Sequence, residues 1–351
     1  MKIIFRADAS VQIGTGHIMR CLTLAGELRE KGVEVAFVCR ELPGNLCHVL
    51  ASSGHLVQRL PYDPGQNSAP FDVNWEKDAL ETAGFINNIF EPLDWLVVDH
   101  YALDRRWEKY LRPYVKKIMV IDDLANRPHD CDLLLDQNLY KNMENRYDTL
   151  ISEHCIKLLG PQYALLRPEF KEARKKLKQR QGSIQRVLIF FGGSDPTNET
   201  AKALEAISLL DHLQLKIDVV VGAANPNKER IKEKCLTMQN TTFYYQVDNM
   251  AELMAGADLA VGAGGSATWE RCCLGLPSLV SILADNQYEL ANNLAKQGAI
   301  IYLGWAKDLN VLGYFEAISK ITNIQILKMS QQGAKLVDGE GCKRVVDKML
   351  N

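Results

Sequence analysis

Twice along this chain an apolar run ends near glycine and gives way to residues with helical spacing, and this doubled pattern narrows the possible folds more than any other feature. The first instance is Ile3-Ile4-Phe5, leading to Gly14-Thr15-Gly16-His17 and then to Ile18, Cys21, Leu22, Ala25 and Leu28. The second is Val187-Leu188-Ile189-Phe190-Phe191, running into Gly192-Gly193-Ser194-Asp195-Pro196, with a helix expected over 197–210. A strand that is apolar without alternation is buried on both faces, which requires a parallel sheet covered by helices on either side. After the first opening, strands are expected at 33–39, 55–60, 95–99, 117–121 and 133–135, with helices at 75–90 and 103–111. After the second, strands are expected at 217–221, 242–245, 259–261, 279–282 and 300–303. The fold class is therefore α/β, with two Rossmann-like doubly wound domains facing a central cleft. Residues 1–165 are expected to form the first domain, 166–182 a linker, and 183–351 the second. A C-terminal helix, with Val345 and Met349 one turn apart, is expected to pack back on the first domain. The polar, glycine- and proline-bearing stretch 61–74 reads as an exposed, mobile loop.

The 351 residues, 47% hydrophobic and 24% charged, suffice for two cores. A formal net charge of -2 exerts no overall pull on nucleic acid or anionic membranes. The basic run Lys171, Arg174, Lys175, Lys176, Lys178 and Arg180 is interspersed with Glu169 and Glu172 and reads as the solvated face of a linker helix. No apolar run approaches the roughly 20 residues that cross a bilayer, and charge arrives too early for a secretory leader, so a cytoplasmic location is expected. Nine cysteines lack metal-ligand spacing and read as reduced and buried. The expected partner is a small-molecule substrate, with no nucleic acid, membrane, metal or cofactor, and with the chain acting as a monomer.

His17 stands at the first strand-to-helix turn. Gly14 and Gly16 let the backbone turn tightly and approach a ligand, while the helix start offers free N–H groups to an anion. An imidazole that titrates near neutrality is thereby placed where a phosphorylated substrate would dock. A nicotinamide-type dinucleotide loop does not fit, because position 19 is methionine rather than a third glycine and the second strand ends in Cys39-Arg40 rather than an acid. Asp99-His100-Tyr101 ends a buried strand on the same side, as sugar-pocket lining or as strand-end caps. Asp122-Asp123 reads as a pair of turn caps.

The second half carries Gly262-Ala263-Gly264-Gly265-Ser266-Ala267-Thr268-Trp269-Glu270 after the strand at 259–261. Gly264 and Gly265 free backbone N–H groups to cup a diphosphate, and Ser266 or Thr268 can cap the following helix and donate a hydroxyl. Glu270 either accepts from ribose hydroxyls or is a surface carboxylate of a first helical turn. Gln287, after the next strand, either reaches sugar hydroxyls or extends a cap.

Four segments together resemble the UDP-2,4-diacetamido-2,4,6-trideoxy-β-L-altropyranose hydrolases of pseudaminic acid biosynthesis. They are Phe5-Arg6-Ala7-Asp8-Ala9-Ser10 with Ile13-Gly14-Thr15-Gly16-His17-Ile18-Met19-Arg20-Cys21; Val98-Asp99-His100-Tyr101; Gly160-Pro161-Gln162-Tyr163-Ala164-Leu165-Leu166-Arg167; and residues 262–276. The resemblance implies a GT-B fold like that of the N-acetylglucosaminyltransferase making lipid II. It implies that Ser266 meets the diphosphate, Glu270 the uridine ribose and Gln287 the donor sugar, and that His17 and Tyr101 are active-site residues. Gly14, Gly16 and Arg20 join Gly264 and Gly265 as candidate substrate contacts. The expected reaction is hydrolysis of a UDP-linked diacetamido-trideoxy sugar at its anomeric carbon with inversion. His17 is the expected general base, oriented by Asp8 or Asp99. A glycosyltransferase using the same donor, or a non-catalytic nucleotide-sugar sensor, would retain the same glycine loops.

Overall fold

The computed structural model describes residues 1–62, 73–89, 93–210 and 214–351. The chain divides into two compact units, Met1–Leu165 with Gly341–Asn351, and Leu166–Glu340. The first unit holds seven strands: β1 (Lys2–Ala7), β2 (Glu34–Arg40), β3 (Leu56–Leu60), β4 (Leu93–Asp99), β5 (Val115–Ile121), β6 (Leu133–Asp136) and β7 (Ile156–Leu159). They form one parallel sheet in the order β3-β2-β1-β4-β5-β6-β7. The second unit holds β8 (Arg186–Phe190), β9 (Lys216–Val221), β10 (Thr241–Tyr245), β11 (Leu259–Ala263), β12 (Ser278–Ile282) and β13 (Ile301–Trp305). These are parallel in the order β10-β9-β8-β11-β12-β13. Each sheet reverses its winding beside its first strand, between β1 and β4 in one unit and between β8 and β11 in the other. Connections leave such a point toward opposite faces and open a crevice at the carboxyl ends of the strands.

The two-residue period explains why these runs are apolar throughout. Ile3, Phe5, Val97, Met119 and Ile121 enter one core with Ile18, Cys21, Leu24 and Leu28 of the helix Gly16–Glu30. Ile4, Leu96, Val98, Ile118 and Val120 enter the core on the opposite face, with Ala79, Ile86 and Trp107. Side chains alternate across a strand, so a helix layer on both faces favours apolar residues at successive positions.

The helix Gly341–Leu350 belongs to the first unit. Val345, Val346 and Met349 enter the core around Ile3 and Phe5, and the Trp95 indole donates to the Met349 carbonyl at 3.1 Å. The stretch 166–182, expected as a linker, contains the helix Pro168–Lys175 and lies in the second unit. Its basic run is not wholly a solvated face. Arg174 donates to the carbonyls of Val337 at 3.0 Å and Ala334 at 2.9 Å, and Arg180 to those of Gly275 at 2.9 Å and Met254 at 3.2 Å. Both guanidinium groups thus satisfy carbonyls left over at helix ends.

Strand β7 escapes a sequence reading because it is four residues long and carries Lys157. The helices Lys228–Thr237, Val311–Ser319 and Asn323–Leu336 belong to the second unit. Of the loop expected at 61–74, residues 63–72 lie outside the described residues. All nine cysteines are free and buried, and among the described residues no helix is long and apolar enough to cross a membrane.

Candidate active site

In the first unit the chain leaves β1 through a turn that closes on itself. The Gly14 N–H donates to the Ser10 carbonyl at 2.8 Å, while the Ser10 hydroxyl accepts from the N–H groups of Gln12 and Ile13 at 3.2 and 2.9 Å. Gly14 sits at φ +82°, a conformation that a side chain would strain. The helix then begins at Gly16 with no side-chain cap and no acidic residue in its first turn. Met19 is the first residue whose N–H finds a helical acceptor, the Thr15 carbonyl at 3.0 Å, so the N–H groups of Gly16, His17 and Ile18 precede the ladder.

Residues 17, 20 and 21 share one face of that helix, and all three meet Asp99 at the end of β4. The Asp99 carboxylate lies 2.5 Å from His17 Nδ1, accepts from Arg20 Nε and Nη2 at 2.6 Å each, and is 3.6 Å from the Cys21 sulfur. Asp99 lies two residues beyond Val97 and so shares its sheet face, the one that the helix covers. Burial would raise its pKa, but Arg20 and His17 together hold it well below the usual carboxylate range. An ionised acceptor at Nδ1 fixes the histidine proton there and leaves Nε2 with its lone pair, the arrangement of a general base. His17 is 7% exposed, so the surrounding packing holds the ring in place.

Tyr101 packs edge-on against the His17 ring, with centroids 4.5 Å apart, and its hydroxyl donates to Asp123 at 2.8 Å. Burial and the Asp123 charge push the phenol pKa well up, so Tyr101 is neutral and its proton committed. Asp123 also lies 3.5 Å from Arg20, and its carbonyl accepts from the Tyr140 hydroxyl and from Arg146, each at 2.7 Å. As a sequence, Asp122-Asp123 suggests a pair of turn caps. Asp122 is one, accepting from the Ala125 N–H at 2.8 Å, whereas Asp123 ties Tyr101 and Arg20 together. Asp136, which the sequence did not single out, is 2% exposed beside this cluster, and burial pushes its carboxyl up to about 7.

Asp8 does not orient His17. Its carboxylate is taken by Arg6 at 2.7 and 2.9 Å, by the Arg40 N–H at 2.7 Å and by His100 Nε2 at 3.2 Å. Arg6 in turn binds Asp78 at 2.6 and 3.0 Å. Arg6 alternates with Phe5 and so faces the layer containing Asp78, which carries Asp8 away from the histidine. Arg20, a candidate substrate contact, spends two of its nitrogens on Asp99.

In the second unit, β11 runs into Gly264-Gly265-Ser266 and the short helix Ala267–Cys273. A Cβ on Gly262 would stand 2.3 Å from the Phe190 carbonyl oxygen, so only glycine allows β11 this close to β8. The Gly264 N–H is used by the Ser281 carbonyl at 3.0 Å, while those of Gly265, Ser266 and Ala267 find no backbone acceptor among the described residues. Ser266 is exposed and makes no cap, whereas Thr268 is buried and accepts from Arg271 at 3.0 Å. Of the two hydroxyls expected here, Ser266 alone is open to a ligand. Gln287 borders the same turn: a Cβ on Gly264 would lie 3.5 Å from its amide oxygen, which accepts from the Leu283 N–H at 3.0 Å. Glu270 is half-buried 3.5 Å from Arg167, its carboxyl pushed up by burial and drawn back by that arginine. Among the described residues no group of three or more His, Cys, Asp and Glu side chains is arranged to hold a metal ion.

Residues 187–334 match the glycosyltransferase family 28 C-terminal domain. The chain is similar to the UDP-2,4-diacetamido-2,4,6-trideoxy-beta-L-altropyranose hydrolase of Campylobacter jejuni, 28% identical over 299 residues covering 85% of this chain and 97% of that one. The similarity read from the four motif segments is thereby borne out. Among solved structures, MurG of Acinetobacter baumannii superposes with a TM-score of 0.67 at 14% identity, covering 99% of both chains. Arabidopsis thaliana UGT89C1 complexed with UDP gives 0.69 at 13% identity over 100% of both. The fold is the two-domain α/β type of these glycosyltransferases, the GT-B fold.

Proposed function

We propose that the protein is an enzyme acting on a UDP-sugar, and that it hydrolyses a UDP-linked 2,4-diacetamido-2,4,6-trideoxy-L-altrose at the anomeric carbon. The observation that carries this reading is the pairing of His17 Nδ1 with an Asp99 held ionised by Arg20, which leaves Nε2 as a base at the carboxyl end of β1. The similarity to the Campylobacter jejuni hydrolase supplies the substrate class. His17 Nε2 takes a proton from water as the water oxygen bonds to the anomeric carbon. The bond from that carbon to the β-phosphate oxygen breaks, and UDP leaves with the electron pair. UDP is a good leaving group, so aiming the water and stabilising the departing charge are the main tasks. In the second unit, the open N–H groups at Gly265 and Ser266 with the Ser266 hydroxyl are assigned to the diphosphate, Glu270 to the ribose and Gln287 to the sugar. In the first unit Gly14 and Gly16 give the backbone room beside His17, and Tyr101 supports the imidazole ring. One displacement by water gives inversion.

The test is incubation with the UDP-sugar in oxygen-18 water without an acceptor. Unlabelled UDP and labelled free sugar of inverted anomeric configuration are expected, whereas label in UDP, or in UMP and a sugar phosphate, would mean attack at phosphorus and remove His17 from this role. The match of residues 187–334 to a glycosyltransferase domain favours a second reading, transfer to an acceptor. Under that reading UDP release would require an added acceptor. A sensor would bind UDP-sugar and release nothing, leaving the His17–Asp99 pair without a task.

A further inference from the structure

Arg271 is a cation in an unusual place. It is 2% exposed, among the described residues no carboxylate pairs with it, and its Nε has no hydrogen-bond partner. Its Nη2 donates to the Ala263 carbonyl at 2.8 Å and to the Thr268 hydroxyl at 3.0 Å. Those two acceptors are the residues on either side of the 264–267 turn, so one guanidinium fastens both ends of the segment that carries Gly264, Gly265 and Ser266. The room for it comes from Gly262, where a Cβ would stand 3.2 Å from Arg271 Nη1. Burial pushes the Arg271 pKa down to about 10, with Cys272 and Glu270 acting in the opposite direction, so the group is charged at neutral pH. A buried, unpaired charge is costly to a fold, and this one adjoins the turn whose free N–H groups are assigned to an anion.

We propose that Arg271 is a positioning residue for diphosphate binding: it fastens the 264–267 turn from beneath and supplies, without touching the ligand, the positive charge that a phosphate-binding lysine would otherwise bring. The inference rests on the assignment of that turn to the diphosphate of a UDP-sugar. In a poorly hydrated interior a fixed charge acts over several ångströms with little screening, so direct contact is unnecessary. An arginine held at both ends of a turn also keeps its N–H groups converged before the ligand arrives, which spares the cost of ordering them on binding.

The test is calorimetric titration of the full chain with UDP and, separately, with uridine, which lacks the diphosphate. Arg271→Met is expected to weaken UDP binding by about tenfold or more while uridine changes by less than about twofold, the scale of a lost charge-assisted interaction. Arg271→Lys, which keeps the charge on a different stem, is expected to restore a large part of the UDP affinity. Equal weakening of UDP and uridine in Arg271→Met, or no rescue by lysine, would reduce Arg271 to a general packing role and overturn the proposal. If the arginine variants do not fold, Thr268→Val releases one end of the fastening and is expected to lower UDP affinity selectively; an unchanged UDP-to-uridine ratio then overturns it. Wild-type protein that binds no UDP would overturn the assignment of the turn itself, a different outcome from wild-type binding that the Arg271 variants match.

Discussion

Asp99→Asn separates positioning of the base from binding of the nucleotide. The carboxylate serves His17 at 2.5 Å and two Arg20 nitrogens at 2.6 Å. Asparagine keeps the size but offers one oxygen and presents an N–H where an acceptor stood. If that N–H meets His17 Nδ1, the imidazole proton moves to Nε2 and the base is lost. Losing a positioned base costs about 10²–10⁴-fold in turnover, which is roughly 2.7–5.4 kcal/mol at about 1.36 kcal/mol per factor of ten. Removing one partner of a buried ion pair costs about 3–5 kcal/mol of stability. The lower end of that range applies here because Arg20 retains Asp123 at 3.5 Å. UDP release from the UDP-sugar at saturation gives kcat, urea melts give stability, and UDP titration checks the second unit, whose UDP affinity should not move. His17→Asn should show the same kinetic loss without the ion-pair cost, and the double variant should be no slower than either single one, since the two residues act as a unit. Wild-type kcat in folded Asp99→Asn protein, or kinetic losses that add in the double variant, would refute the pairing as the source of the base.

Glu270→Ala should raise the dissociation constant for UDP by an amount equivalent to about 1.5–3 kcal/mol while leaving pyrophosphate unchanged, because the contacts removed are those to ribose; equal loss for both ligands would take Glu270 out of the ribose site. Asp136 titrates near 7 in the folded chain, above the roughly 3.9 of an unfolded aspartate, so ionising it opposes folding. Its penalty is absent below the unfolded value, grows as pH rises from about 4 to about 7, and stays constant beyond. Asp136→Asn should therefore melt above wild type at about pH 8 and show a flatter stability profile across that window, whereas parallel profiles would contradict the buried-acid assignment. Chelation with EDTA should leave UDP release unchanged, since anion stabilisation is assigned to backbone N–H groups and Arg271; activity lost to EDTA and restored by a divalent ion would contradict that.

The strands around Phe5, Val97 and Ile189 were legible because a strand buried on both faces has no choice but to be apolar, and a chain alternating such strands with helical spacing can form only a helix-covered parallel sheet. His17 and the turn at Gly264-Gly265-Ser266 were legible for a related reason: glycine beside a strand end marks where backbone donors come free, and that information is local. Choosing between Asp8 and Asp99 was beyond the sequence. Both are acidic residues at strand ends, and only the alternation of faces, with Arg6 claiming Asp8 and Arg20 claiming Asp99, determines which one meets the imidazole. The roles of Asp123, Asp136 and Arg271 were hidden for the same reason. Each draws its role from partners brought close by strand order and helix packing, and a buried charge is recognised by what surrounds it rather than by its neighbours along the chain.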